Sequence, residues 1–260
     1  MHIYKAKNNV FFEDNNFVLL NGDCFELIKT IKSRSVNVIF ADPPYFLSGG
    51  GVTCKSGKMV FVDKAQWDKK KVIDEKLKYN KKWIKLCKRI LKDNGTIWIS
   101  GTFHNIYTIG VALEKEGFSI INNITWQKLS PPPNLACKAF THSTETILWA
   151  CKSGSKYFYN YALMKKLNGN RQKKDVWNDI HIKKLEKEFG KHPTQKPLDL
   201  LKRIILASTK ENDIVLDPFN GSGTTGIACS LLKRQYIGID SEKEYLEISK
   251  KRYLNIKERE

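Results

Sequence analysis

The stretch Val36-Asn37-Val38-Ile39-Phe40-Ala41-Asp42-Pro43-Pro44-Tyr45 decides how this chain of 260 residues is read. Its first six residues are apolar and β-branched enough for a buried strand, and an acid followed by two prolines stops that strand abruptly. In open α/β sheets, ligand sites lie just beyond the carboxyl ends of strands, which is where Asp42 falls. Ahead of it, Phe17 to Leu20 is a second apolar run, and the segment from Cys24 to Ser33 between the two has helical spacing. The opening therefore predicts strand, helix, strand. Further on, Lys71 to Lys92 carries Ile73, Leu77, Trp83, Ile84, Leu86, Cys87, Ile90 and Leu91 at near-helical spacing. Asp93-Asn94-Gly95 is expected to end that helix before a strand at Thr96 to Ser100. A helix at Asn105 to Lys115 and strands at Phe118 to Trp126 and Thr144 to Cys151 follow, the last two separated by a Pro-rich break. Helix, strand, helix, strand, helix resume at Pro197 and run to the end, so an α/β sheet is expected.

Two stretches fall outside this rhythm. Phe46 to Asp68, with Gly49-Gly50-Gly51 and Gly57, has no steady period and predicts a long mobile loop, a candidate lid carrying Lys55, Lys58 and Lys64. Lys152 to Lys191 dissolves into short polar, aromatic and basic pieces and is the candidate inserted module. The chain then divides into residues 1–151, the insertion 152–191, and residues 192–260. From Cys151 to Lys196 there are twelve basic against four acidic residues, a net of +8. Asn168, Asn170, Arg171 and Gln172 are side chains of the kind that hydrogen-bond to base edges, and Lys173 and Lys174 add positive charge beside them. Tyr157, Phe158, Tyr159, Tyr161 and Trp177 are interleaved with them. The whole chain carries a formal +18, which points to a polyanionic partner, although an AT-rich genome also inflates Lys usage.

With 41% apolar residues the chain can bury a sizeable core. No apolar run approaches the roughly 18 residues that a membrane span requires, and no signal peptide is read at the start, so a soluble, cytoplasmic protein without membrane contact is expected. Six cysteines without a C-x-x-C pair read as reduced thiols. His2, His104, His142 and His181 form no ligand spacing, so no metal is expected. The H-x-E and P-C-x-x-C pattern of zinc deaminases is absent.

Asp42-Pro43-Pro44-Tyr45 offers a particular chemistry. An exocyclic amine on an aromatic ring is a poor nucleophile, because its lone pair is delocalised. A carboxylate from Asp42 and the carbonyl of Pro43 can each accept one N–H and bias the nitrogen towards tetrahedral geometry. Tyr45 offers a ring face to a base drawn out of its stack, and its hydroxyl is expected to matter little beside that face. The plain alternative is a turn closing a strand. A second motif, Leu216-Asp217-Pro218-Phe219-Asn220-Gly221-Ser222-Gly223-Thr224-Thr225, follows the strand-like Ile214-Val215-Leu216 and precedes an apolar helix. Its glycines let a ligand lie close to the backbone, and without a following Gly-Lys-Ser/Thr it is not a P-loop. About two dozen residues on, Tyr236 to Ile239 ends in Asp240, an acid placed for ribose hydroxyls of some nucleoside-bearing cofactor. Ser241 and Glu244 are spaced as a capping box for the last helix.

In order, these motifs resemble the β-class amino-methyltransferases of DNA, in which the catalytic motif precedes the Gly-rich cofactor motif. The resemblance covers nearly the whole chain. It includes Asn21-Gly22-Asp23, Thr125-Trp126-Gln127-Lys128 with Pro131-Pro132-Pro133-Asn134, His142-Ser143-Thr144-Glu145-Thr146, and His192-Pro193-Thr194-Gln195-Lys196-Pro197. It implies the S-adenosylmethionine-dependent methyltransferase fold, Rossmann-like, with a mixed sheet of seven strands, helices on both faces and a circularly permuted motif order. Asp217, Phe219, Gly221, Gly223 and Thr224 would line the methionine end of S-adenosylmethionine, Asp240 its ribose and Asp23 its adenine, with His192 and Lys196 closing the methionine side. The implied partners are double-stranded DNA and a cognate restriction endonuclease acting at the same site, and a homodimer is admitted. Asp at position 42 resembles the adenine-N6 enzymes more than the cytosine-N4 enzymes. A catalytically silent DNA-binding protein of the same fold is the alternative from another class, and whether Asp42 acts as a general base stays open.

Overall fold

The computed structural model describes residues 3–46, 52–55, 58–61, 71–134, 136–180, 189–190 and 195–258, with 52–55 and 58–61 described by their backbone. The chain opens with a hairpin of β1 (Val10–Asp14) and β2 (Phe17–Asn21), joined by Asn15-Asn16 with Asn15 at a φ of 40°. Asn tolerates that left-handed turn geometry, which suits tight hairpins. There follow α1 (Cys24–Thr30), β3 (Val36–Ala41), β4 (Val52–Lys55), β5 (Lys58–Phe61), α2 (Ile73–Ile90), β6 (Leu91–Gly101), α3 (Ile106–Lys115), β7 (Phe118–Gln127) and β8 (Thr144–Lys152). The remainder is α4 (Tyr161–Leu167), β9 (Val176–Trp177), α5 (Leu198–Ser208), β10 (Ile214–Asp217), α6 (Thr224–Leu231), β11 (Gln235–Asp240) and α7 (Lys243–Lys257).

The main sheet has nine strands in the order β1-β2-β11-β10-β3-β6-β8-β7-β9, where seven are expected. The seven central strands form the expected mixed sheet, and the two additions are edge strands. β1 folds back on β2, and the two-residue β9 pairs with β7 at Thr125 and Trp126. From β2 to β6 the strands run parallel, β8 runs antiparallel between β6 and β7, and β10 and β11 from the end of the chain sit between β2 and β3 from its beginning. The permuted motif order is thereby resolved in space, with the acids at the ends of β3, β10 and β11 on one carboxyl edge.

Strand alternation feeds two cores, because successive side chains point to opposite faces. Val18, Leu20, Val36, Ile39, Ala41, Ile97 and Ile99 pack with α1, α2 and α3. Phe17, Leu19, Val38, Phe40, Trp98 and Trp149 pack with α4, α5, α6 and α7. Trp98 and Trp149 stack across β6 and β8 at 4.6 Å.

Several expectations change. Asp93-Asn94-Gly95 does not cap a helix but bulges out of β6, which already pairs Leu91 with Val36 before it pairs Thr96 with Val38. Gly95 fits because a Cβ there would lie 2.6 Å from the Asn37 carbonyl. Part of the stretch expected as a loop is the antiparallel hairpin β4–β5, and the rest of Phe46 to Asp68 after Phe46 lies outside the described residues. In 152–191, Met164 of α4 and Trp177 of β9 are buried in the second core. α7 starts after Glu242 without a side-chain cap, and the free N–H of Glu242 is taken by Asp240 Oδ1 at 2.9 Å, so Ser241 caps nothing. No helix among the described residues is long and apolar enough to cross a membrane. The five described cysteines form no disulfide.

Candidate functional site

The carboxyl edge of the sheet holds a cavity of about 320 Å³, within the range of small-molecule sites. Gly22 and Asp23 after β2, Asp42 and Pro44 after β3, Asp217 to Ser222 at the end of β10, and Asp240 at the end of β11 all line it. Thr224, Gln195 and Lys196 join them. Sequence-distant residues meet here because parallel strands bring their carboxyl ends to one edge.

Asp23, Asp217 and Asp240 are each held by backbone donors. Asp23 caps α1, its Oδ1 accepting from Phe25 N at 2.6 Å and Glu26 N at 3.3 Å. Asp240 Oδ2 accepts from Gly221 N at 2.8 Å, tying the Gly-rich turn to β11. Asp217 accepts from Phe219 N at 3.0 Å and from the Thr225 hydroxyl at 2.6 Å. Burial pushes the Asp217 carboxyl up to about 7 against those bonds, and burial lifts Asp240 to about 6. Gly221 lines the cavity as expected, whereas Gly223 does not. Gly223 sits at a φ of 74°, and a Cβ there would collide with Ser249 Oγ and lie 2.7 Å from Ser249 Cβ, so the turn packs closely on α7 at this position.

Behind Asp42 lies a buried charged cluster. Lys196 Nζ lies 2.5 Å from Asp42 Oδ2, 3.1 Å from Tyr45 Oη and 3.4 Å from Glu145 Oε2. Tyr45 donates to Asp42 Oδ1 at 2.7 Å, and its hydroxyl is 3.3 Å from both Ser100 Oγ and Glu145 Oε2. Lys128 reaches Glu145 Oε1 at 2.6 Å. Burial pushes the Asp42 carboxyl up, opposed chiefly by Lys196. Glu145 is also buried, yet Lys196 and Lys128 overrule that burial and hold it at about 2. The Tyr45 hydroxyl, expected to matter little, is thus part of the cluster, and Tyr45 itself is buried and does not line the cavity. Pro44 is fixed separately: its carbonyl accepts from Asn105 Nδ2 at 2.8 Å, and Asn80 Nδ2 donates to Asn105 Oδ1 at 2.8 Å.

Lys196, expected beside the cofactor, lines the cavity but turns its ammonium to Asp42. Glu145, Lys128, Ser100 and Asn105 carry no role in the sequence reading. For Glu145 the signal is an acid at the head of the apolar strand Thr146-Ile147-Leu148-Trp149-Ala150. His192 lies outside the described residues, and nothing is described of the side chains of Lys55 and Lys58, which pair across the β4–β5 hairpin. Asn168 to Lys174 form a turn between α4 and β9, away from the cavity lining. In it the Asn168 amide donates to the Arg171 and Gln172 carbonyls, and Lys173 pairs with Asp179 at 3.1 Å. Asn170, Arg171, Gln172 and Lys174 are exposed. Among the described residues no three His, Cys, Asp or Glu side chains converge into a metal-binding group.

A Rossmann-like sheet with acids at three neighbouring carboxyl ends around one cavity defines a nucleoside-cofactor-binding α/β enzyme domain. Residues 36–251 match the DNA methylase family of N6/N4 methyltransferases, and the chain belongs to that family. It is 59% identical to the Type II methyltransferase M2.LlaDCHI of Lactococcus lactis subsp. cremoris, over 93% of this chain and 91% of that protein. It is 52% identical to the Type II methyltransferase M2.MboI of Moraxella bovis, over 94% and 90%. Among solved structures, the complex of M1.HpyAVI with S-adenosylmethionine superposes with a TM-score of 0.68 at 31% identity, over 91% of this chain and 98% of that one. The cytosine-N4-specific PvuII methyltransferase, at 18% identity and a TM-score of 0.74 over 94% and 89%, shares the fold.

Proposed function

We propose that the protein transfers a methyl group from S-adenosylmethionine to the N6 amine of an adenine flipped out of double-stranded DNA, at a specific sequence. The observation that carries this reading is the shared cavity, in which Asp42 and Pro44 face the same space as Asp217, Gly221 and Asp240. Bound there, S-adenosylmethionine supplies an electrophilic methyl group on a positively charged sulfonium. Asp217 and Phe219 at the end of β10 serve its methionine end, with Gly221 and Thr224, while Asp240 serves its ribose and Asp23 its adenine. The residue types fit: carboxylates held by backbone donors keep acceptor capacity for hydroxyls and an ammonium.

Asp42 and the Pro43 carbonyl accept the two N–H groups of the target amine, and Tyr45 orients Asp42 through its hydroxyl. Catalysis is then positioning and polarisation for in-line displacement, without a covalent enzyme intermediate. No strong base is demanded, because the methylated nitrogen is itself acidic before it loses its proton. Residues 152–191 serve as the target-recognition region, with Asn170, Arg171, Gln172 and Lys174 presented to DNA and Asn168 and Lys173 shaping the turn that carries them. Lys55 and Lys58 contact the DNA backbone from the hairpin. The relatives are named Type II methyltransferases, which supports a place in a cytoplasmic restriction–modification pair with a cognate endonuclease. The motif string also resembles the MboII modification enzyme. Self-association as a homodimer is an extension of the same reading.

The test is incubation of the purified protein with radiolabelled S-adenosylmethionine and unmodified plasmid DNA. Label in the DNA, lost with Asp42→Ala, is the expected result. Absence of label with the unaltered protein overturns the reading.

A further inference from the structure

The cluster behind the tetrad leaves no donor of Lys196 over. This side chain, 7% exposed, has three N–H groups and three acceptors around it, namely Asp42 Oδ2, Tyr45 Oη and Glu145 Oε2. Both oxygens of Asp42 are occupied, Oδ2 by Lys196 and Oδ1 by Tyr45. Each of these oxygens keeps a second acceptor site, so an incoming N–H can join without displacing either partner. Lys196 lines the cavity beside Asp42, whereas Tyr45 does not. Lys196 also has Glu145 Oε2 at 3.4 Å, in a site where a buried ammonium without a partner would be strongly unfavourable. Glu145 is in turn held by Lys128 from the partly exposed rim.

We propose that Lys196 is a positioning residue that holds the Asp42 carboxylate oriented and ionised for the incoming amine, and is itself anchored by Glu145. The proposal rests on reading Asp42 as the acceptor of the target amine. It differs from a cofactor-holding role in a physical consequence: Lys196 sustains the charge of Asp42. Among the described residues the charged and titratable groups facing Asp42 are Lys196 from the segment before α5, Glu145 from β8, Tyr45 from its own loop and Asp217 from β10. Lys196 favours the ionised form of Asp42, whereas Glu145 disfavours it, so removing each must move Asp42 in opposite directions.

The experiment follows the Asp42 carboxyl by NMR in protein labelled with ¹³C-aspartate, with Asp42→Asn to assign the signal. Affinity for S-adenosylmethionine and the turnover number are measured beside it. In Lys196→Met the titration of Asp42 is expected to rise by about one pH unit or more. In Glu145→Gln it is expected to fall. Turnover of Lys196→Met is expected to drop by about 100-fold, with cofactor affinity changed less than about threefold. An unmoved titration, shifts of the same sign in the two variants, or a loss confined to cofactor affinity would overturn the proposal. Should Lys196→Met not fold, Lys196→Arg is titrated instead. Retention of the wild-type titration supports a charge-holding role, and its loss refutes it. The titration needs no methyl transfer, so an inactive wild-type protein would defeat the proposed function while the role of Lys196 is still read.

Discussion

The buried carboxyl of Asp217 makes cofactor binding depend on pH in a calculable way. Burial raises it to about 7, and it is expected to meet the positively charged methionine end of S-adenosylmethionine as a carboxylate. With that midpoint, the ionised fraction in the free protein is about one in eleven at pH 6 and about ten in eleven at pH 8. The affinity should therefore rise about tenfold between those values, about 1.4 kcal/mol, and level off above. Calorimetry in two buffers of different ionisation enthalpy reads both the affinity and the proton released, which should approach one at pH 6 and vanish by pH 8. Folding of the cofactor-free protein must respond with the opposite sign. The folded state holds this proton more tightly than the unfolded state does, so the stability conferred by the protonated group is full below the unfolded value near 3.8. It is lost as pH rises towards 7, by up to about 4 kcal/mol. Asp217→Asn should abolish both dependences. A flat affinity from pH 6 to 8, or an unchanged slope in Asp217→Asn, would refute the reasoning.

Asp42→Ala should leave cofactor affinity nearly intact in calorimetry while lowering turnover by about 100- to 1000-fold, since its contacts matter chiefly as the nitrogen changes geometry. Tyr45→Phe should cost about 1–3 kcal/mol in a denaturation midpoint or in turnover, because the lost hydroxyl bonds Asp42 and Lys196. A silent Tyr45→Phe would return the role of Tyr45 to its ring face alone. Gly223→Ala should destabilise by about 2–5 kcal/mol, from the left-handed backbone and the collision with Ser249. Ser249→Gly in the same chain should recover part of that, and a simple sum of the two single losses in urea melts would deny the contact. Alanine at Asn170, Arg171 or Gln172 should relax the choice of methylated sequence, mapped by sequencing modified plasmid. Lys174→Ala should instead reduce the salt slope of DNA binding by about one.

The central strands were legible because each combines β-branched apolar residues with a sharp stop, as Val36 to Ala41 does before Asp42. The acids at strand ends were legible for the same reason, and the sheet brings Asp42, Asp217 and Asp240 to one cavity. Edge strands were not. β9 has two residues, and β1 hides behind the Asn15-Asn16 turn, a short hairpin signal in Val10 to Asn21. Local spacing also misled at Asp93-Asn94-Gly95, where pairing of Leu91 with Val36 decides the conformation from outside the segment. Lys196 and Glu145 stand 51 residues apart and Asp42 further still, so their contact depends on strand order that no local pattern encodes. Gly223 shows the converse: the Gly-x-Gly spacing was visible, but only packing against α7 separates the glycine facing the cavity from the one behind it.

The most direct test is nucleoside mass spectrometry of unmodified DNA after incubation with the protein and S-adenosylmethionine carrying a deuterated methyl group. Deuterated N6-methyladenine at one recurrent sequence, absent with Asp42→Ala, is the predicted result. Label in N4-methylcytosine, or none in any base while the cofactor binds normally, would contradict it.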